Sequence, residues 1–252
     1  MSILLWLLLA LFLFLVINYK LYLFLTPQKR LPILMYHHVL PVAENELTVT
    51  VENLDRQFAF LKGNGYKTMF FSELNAMKSL KKKIIITFDD GYLNNSQYLL
   101  PLLEKHGFKA TIFIPTQLVE KNRDGIFMTF DEIRNLDKNL VEIGLHSHTH
   151  KNYEQLTPEE IDADLKENME ILKSHEIPFT KVLAYPYGRF PRTKDFFEIL
   201  GRNKIEFALR IGNKINVFPP KNPYILNRID IKNSTTLPAF RWKLILGKVK
   251  LF

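Results

Sequence analysis

The sequence predicts an α/β domain of repeated strand–helix units, preceded by a single N-terminal transmembrane helix. Three observations carry this reading. From Pro32 onward, short apolar runs alternate with amphipathic stretches, as strands buried on both faces and covered by helices do. Several runs end directly in polar residues, and the carboxyl ends of strands are where such folds place their sites. Finally, Ile3 to Ile17 is unbroken apolar sequence, and apolar character resumes from Leu21 to Leu25 after Asn18 to Lys20.

At about 1.5 Å rise per residue, this N-terminal stretch is long enough for a bilayer core of about 30 Å. No charged segment precedes it, and no small-residue cleavage site stands before Thr26 and Pro27. An uncleaved anchor is therefore expected rather than a signal peptide. Lys20, Lys29 and Arg30 follow the apolar stretch Ile3 to Ile17, and the positive-inside rule taken alone would hold the domain in the cytoplasm.

Candidate strands are Ile33 to Tyr36, Ile84 to Phe88, Lys109 to Ile114, Val141 to Leu145, Val182 to Tyr185 and Glu206 to Leu209. Between them, Leu54, Phe58 and Leu61 share one helical face, as do Ile161, Leu165, Met169 and Leu172. Thr157, Pro158 and Glu160 open the second helix as a capping box with proline in the first turn, and Thr129 with Glu132 makes a similar start. Phe240 to Phe252 alternates bulky apolar residues with Lys and Arg; it is expected to close a barrel rather than to lie on a membrane surface. Pattern alone leaves an open doubly wound sheet and a barrel equally possible.

The chain has 252 residues, 47% hydrophobic and 24% charged, with a net charge of +8. That balance suits an anionic polymer, a phosphate-rich surface or lipid headgroups. No basic run is interleaved with aromatics, so no nucleic-acid partner is expected. Lys81, Lys82 and Lys83 form the one conspicuous basic run and read as a solvated lead-in to the next strand. The absence of cysteine excludes disulfides, thiolate ligands and a cysteine nucleophile.

Three runs carry chemistry. Ile84 to Phe88 passes straight into Asp89, Asp90 and Gly91. Adjacent carboxylates at a strand end repel unless a cation is near, although one of them could simply cap a turn. His146, His148 and His150 alternate directly after Val141 to Leu145. Three histidines so spaced point to a metal, since imidazole is a common ligand for zinc and its neighbours, and two histidines with a carboxylate suit hydrolytic zinc or oxygen-using iron. Leu183 to Gly188 closes another strand with a Pro and Gly turn whose backbone amides could face the site.

Thr87 to Gly91, His146 to His150 and Tyr185 to Gly188 resemble, in order and spacing, the first three motifs of polysaccharide deacetylases of the NodB-homology family. The likeness extends to Pro32 to Val39, Phe70 to Leu74 and Lys109 to Pro115. It implies a distorted (β/α) barrel of about seven strands, a divalent metal such as zinc, and an acetylated polysaccharide substrate. Residue by residue, it implies Asp90, His146 and His150 as ligands and Asp89 as base, with Tyr185 and Tyr187 on the oxyanion and substrate side. His148 is expected either to orient the ligating histidines from behind or to play a structural part.

Two departures stand out. Many members carry an arginine where this chain has Ala184, leaving the partner of the base vacant or supplied by another group such as Arg228. No histidine follows His175 to serve as the late general acid. The chain is closer in style to poly-N-acetylglucosamine deacetylases, whose acid follows a tyrosine in the first strand; His37 stands there, with His38 beside it as a structural or substrate-touching residue.

The resulting expectation is an anchor over residues 1–26, a linker over 27–31 and the deacetylase domain over 32–252. The domain is expected outside the cytoplasm, where such polymers lie, against the charge bias. Competing readings are an O-acetyl esterase, a decayed membrane-tethered carbohydrate-binding protein, and an iron oxygenase.

Overall fold

The computed structural model describes residues 3–18 and 25–248. Helix α1 (Ile3–Asn18) is apolar on every side over 16 residues, a length of about 24 Å. No helix among the described residues is long and apolar enough to cross a membrane. The expected transmembrane helix is therefore not found: the first apolar run stops at Asn18, and of the second only Leu25 lies within the described residues.

Seven strands form the domain's centre: β1 (Ile33–Tyr36), β2 (Lys83–Phe88), β3 (Ala110–Ile114), β4 (Val141–Leu145), β5 (Val182–Ala184), β6 (Phe207–Ile211) and β7 (Leu226–Asp230). Each pairs in parallel with the next. The ring closes where Ile229 pairs with Leu34 and Asp230 with Met35. This is the expected barrel, and the open sheet is excluded. Closure comes from β7, a strand the apolar pattern did not reveal because Asn227 and Arg228 interrupt it.

Alternation along each strand divides the apolar residues between two cores. Ile33, Ile85, Phe113, Val182 and Leu209 fill the interior. Leu34, Ile86, Ile112, Ile114 and Leu183 face outward beneath the helices. Gly144 has no side chain because a Cβ there would collide with the Phe113 ring. The floor is plugged by Met69, Phe71 and Leu74. Buried Glu142 holds this plug, accepting from the Phe71 and Ser72 amides at 3.0 Å each and from the hydroxyls of Thr111 and Thr180.

The outer helices are α2 (Val51–Gly63), α3 (Leu100–His106), α4 (Thr116–Glu120), α5 (Phe130–Arg134), α6 (Pro158–Ser174), α7 (Lys194–Arg202) and α8 (Leu237–Leu246). Both capping boxes form, Thr129 with Glu132 and Thr157 with Glu160. Leu54, Phe58 and Leu61 of α2 are buried, each worth about 1.5–3 kcal/mol by area. The C-terminal stretch does not close the barrel as expected. Its described part, α8, packs outside, with Phe240 and Leu244 buried and Phe240 edge-on to Phe60 of α2.

Candidate active site

Period-two alternation aims every second residue inward, and at the carboxyl ends of the strands the inward positions turn polar. They are occupied by His37 beyond β1, Asp89 beyond β2, His146 beyond β4, and Arg228 and Asp230 in β7. Together with Asp90, His150 and Tyr187 they line an open cleft of about 980 Å³.

Asp89 and Asp90 part company through the backbone. Asp90 sits in the left-handed region at φ 71°, as do Ser147, His150 and Tyr187 at 67°, 56° and 58°. Such conformations cost about 1–3 kcal/mol each and gather at functional sites. Gly91, at φ 67°, leaves no room for a side chain, since a Cβ would stand 2.7 Å from Ile114 Cδ1.

The turn at Asp90 brings its Oδ1 to 3.4 Å from His146 Nε2 and 3.2 Å from His150 Nε2. His146 Nδ1 lies 2.7 Å from the Ala184 carbonyl. A carbonyl only accepts, so Nδ1 carries a proton, which leaves Nε2 as the nitrogen whose lone pair the neutral ring can offer to a cation. Asp90 Oδ1 is buried without a hydrogen-bond partner. One ligand atom from each of Asp90, His146 and His150 lies within 4.8 Å of the others. An orphaned carboxylate oxygen facing two imidazole nitrogens fits a divalent cation. Burial alone would raise the Asp90 pKa, but the two histidines outweigh it and hold the group well below its ordinary range.

Asp89 is gripped from β7, across the single intervening strand β1. Arg228 donates through both terminal nitrogens, at 2.5 Å to Oδ1 and 2.7 Å to Oδ2. The guanidinium is fully buried, 5.5 Å from the centre of the Phe113 ring. Ala184, whose Cβ takes little space, lies on the inward face of β5. The position where an arginine was expected is thus empty of charge, and Arg228 makes the contact from two strands away. Burial opposes ionisation of Asp89, but Arg228, His146 and His37 together hold its pKa below the ordinary value. His37 Nε2 lies 3.9 Å from Asp89 Oδ2, and its Nδ1 is buried without a partner.

Three sequence-selected residues stand apart from the cleft. His38 points the other way, its Nδ1 2.9 Å from Asn94 and its ring stacked on Tyr92 at 3.5 Å. His148 turns back to α4, with Nδ1 3.0 Å from Thr116 Oγ1 and Nε2 3.2 Å from Gln117 Nε2. Tyr185, expected on the substrate side with Tyr187, is instead buried outside the barrel wall, stacked on Phe190 and donating to the Tyr224 carbonyl. Alternation explains it: Ala184 faces inward, so Tyr185 cannot. Tyr187, by contrast, is 62% exposed and lies 5.2 Å from the His150 ring.

Sequence reading missed Asp164, Tyr92 and Asp230. Asp164 accepts from the His148 and Thr149 amides at 3.0 and 2.8 Å and from the hydroxyls of Thr149 and Tyr153. It clamps the histidine loop to α6. Its signal was a carboxylate on the apolar face that carries Ile161 and Leu165. Tyr92 lines the cleft; burial first, then Asp90, pushes its phenol above the ordinary value, so it stays a donor. Asp230 lies two residues beyond Arg228 on the same inward face, its Oδ1 buried without a partner.

The family profile described as polysaccharide deacetylase matches residues 76–206, just over half of the 252-residue chain. The chain belongs to that family. YxkH of Bacillus subtilis strain 168, a protein named as a polysaccharide deacetylase, is 30% identical over 166 residues, covering 64% of this chain and 58% of that relative. A polysaccharide deacetylase from Bacillus cereus superposes with a TM-score of 0.72 at 25% identity, over 86% of this chain and 69% of that one. The Streptococcus pyogenes deacetylase PplD, solved in complex with acetate, shares the fold with a TM-score of 0.76 at 22% identity, over 85% and 98% of the two chains. The family match covers Asp89, Asp90 and the three histidines that follow β4 but neither His37 nor Arg228.

Proposed function

We propose that this chain is a zinc-dependent deacetylase that hydrolyses N-acetyl groups on a glucosamine-containing polysaccharide. The observation that carries the reading is the convergence of Asp90 Oδ1, His146 Nε2 and His150 Nε2 beside an ionised, arginine-held Asp89. Asp90, His146 and His150 hold the cation, and two imidazoles with one carboxylate are a donor set suited to zinc. When bound, the cation supplies Lewis acidity that makes a water acidic and polarises an acetyl carbonyl.

Asp89 takes the proton of the attacking water through Oδ2 or Oδ1, and Arg228 keeps that carboxylate charged and fixed in direction. The backbone N–H at Tyr187 donates to the developing oxyanion. His37 gives a proton to the departing nitrogen. This last role favours an N-acetyl over an O-acetyl substrate, because an amine leaves only once protonated. The cleft, about 980 Å³ and open, suits a segment of polymer rather than an enclosed small molecule.

Membrane attachment outside the cytoplasm is part of the same proposal. The attachment, though not the side, is supported by α1, whose Leu4, Trp6, Leu8, Phe12 and Phe14 are all exposed, and such a face is covered by lipid or another apolar surface. Acetate release from acetylated chitooligosaccharide, compared with acetylxylan, tests the substrate. Release from neither, with metal supplied, would sink the enzymatic reading in favour of a binding protein. Preference for acetylxylan would replace it with an esterase.

A further inference from the structure

The end of the barrel opposite the catalytic cleft carries a second cleft, of about 410 Å³, where the linker meets the body. Arg30, Lys81, Lys82, Lys83 and Arg241 line it over a floor that includes Phe60, Tyr66 and Leu244. No carboxylate is among the lining residues. Lys81, Lys82 and Arg241 are exposed to solvent, Arg30 and Lys83 are half-buried, and two of the exposed cations are held against aromatic rings. Lys82 lies in the left-handed region at φ 57°, folding the lysine run back on itself. Its carbonyl accepts from Lys67 N–H at 2.8 Å, and its ammonium stands 4.8 Å over the Tyr66 ring. Arg241 stands 4.8 Å over Phe60. Leu80 N–H donates to the Gln28 carbonyl at 2.9 Å, which ties the lysine turn to the linker at that residue.

The cationic surface continues. A neighbouring groove shares Tyr66 and Lys83 and adds Lys62, Lys67 and Lys109. Its one carboxylate, Glu73, is already paired with Lys109 at 3.0 Å. Trp242, beside Arg241, is 55% exposed, and tryptophan favours the headgroup level of a bilayer. We propose that this basal face seats the anionic headgroups of phospholipids, so that the barrel stands on the membrane with its catalytic mouth pointing away. Lys83 opens β2 and Asp89 follows its end, which puts the reacting groups about 20 Å above that surface. The inference rests on membrane attachment through α1 but goes beyond it, because attachment alone fixes no orientation.

The chain has no cysteine, so single reporters can be placed cleanly. Full-length Lys82→Cys on the basal face and Asp124→Cys, in the exposed loop whose Phe127 bridges to Tyr92 of the catalytic cleft, are labelled with a fluorophore. Each is reconstituted with phosphatidylcholine vesicles, or with vesicles of roughly 3:1 phosphatidylcholine and phosphatidylglycerol, carrying a headgroup-level quencher. Quenching of the Lys82 reporter should be roughly fivefold greater on the anionic vesicles and should collapse at high salt. The Asp124 reporter should respond to neither. Lys81→Glu with Arg241→Glu should abolish the difference without changing the thermal unfolding midpoint. Flotation with both vesicles and equal quenching would overturn the orientation while leaving attachment standing. Failure to float with either would overturn both.

Discussion

Arg228 grips both carboxylate oxygens of Asp89 from a position 139 residues further along the chain, across the strand pair that closes the barrel. Two charges this deeply buried are favourable only as a pair. The pairing also sets the ionisation of the residue proposed as base.

Replacing Arg228 should therefore act on pH dependence as well as on rate. With the guanidinium present, Asp89 is charged below its ordinary range despite burial. Without it burial prevails and the neutral acid is favoured, so the Asp89 pKa rises. In Arg228→Met the acid limb of the kcat/KM profile should move to higher pH, and thermal unfolding should show a loss of about 3–5 kcal/mol. Arg228→Lys should not restore the profile, because a point charge cannot fork onto two oxygens. An unmoved acid limb would separate Asp89 from the base role.

Metal removal gives a second outcome. Protein stripped with a chelator should release no acetate, and zinc should restore release. Calorimetry on the stripped protein should show tight binding that Asp90→Asn weakens by roughly a hundredfold or more. Zinc at about 100 times its Kd should stabilise the fold by about 2.7 kcal/mol. Equal thermal midpoints with and without zinc would count against the site.

His37 and His38 should separate by leaving group. His37→Gln should lower kcat on an N-acetylated oligosaccharide by about 10²–10⁴. On a nitrophenyl acetate, whose leaving group needs no proton, the loss should be much smaller. His38→Gln should disturb the contact with Asn94 and leave both substrates within a few fold. Equal losses on the two substrates in His37→Gln would argue for a positioning role instead.

Asp164 should prove to be a distant support of metal binding. Asp164→Ala leaves the amides of His148 and Thr149 without an acceptor, at about 1–3 kcal/mol for a buried group. Zinc affinity should fall roughly 10–100-fold through loosening of the loop that carries His150. Unchanged affinity at lowered stability would confine Asp164 to the fold.

Much of the barrel was legible because its strands are buried on both faces, which makes them short and apolar. Val141 to Leu145 and Ile33 to Tyr36 end where the pattern ends. Strand β7 was not legible, for the same reason that it matters: Arg228 lies inside the barrel, and a charge in a short run erases the apolar signature. Asp89, Asp90, His146 and His150 were readable from their position after apolar runs. Tyr185 was misplaced because motif membership does not say which way a side chain points, whereas strand alternation does. Asp164 escaped because two of its four donors are backbone amides, which leave no trace in the sequence, and its hydroxyl donors Thr149 and Tyr153 lie more than ten residues away along the chain.

The seam between β1 and β7 gives the molecule a built-in order of events. During synthesis His37 emerges first, then Asp89 and the ligands of the proposed metal, but the guanidinium that pairs with Asp89 arrives in β7, the last strand of the ring to be made. A nascent chain stalled before Leu226 would have every ligand and an uncompensated base. On the proposed mechanism, closure of the ring between β1 and β7 would be the step that completes the site, because only then does Arg228 meet Asp89.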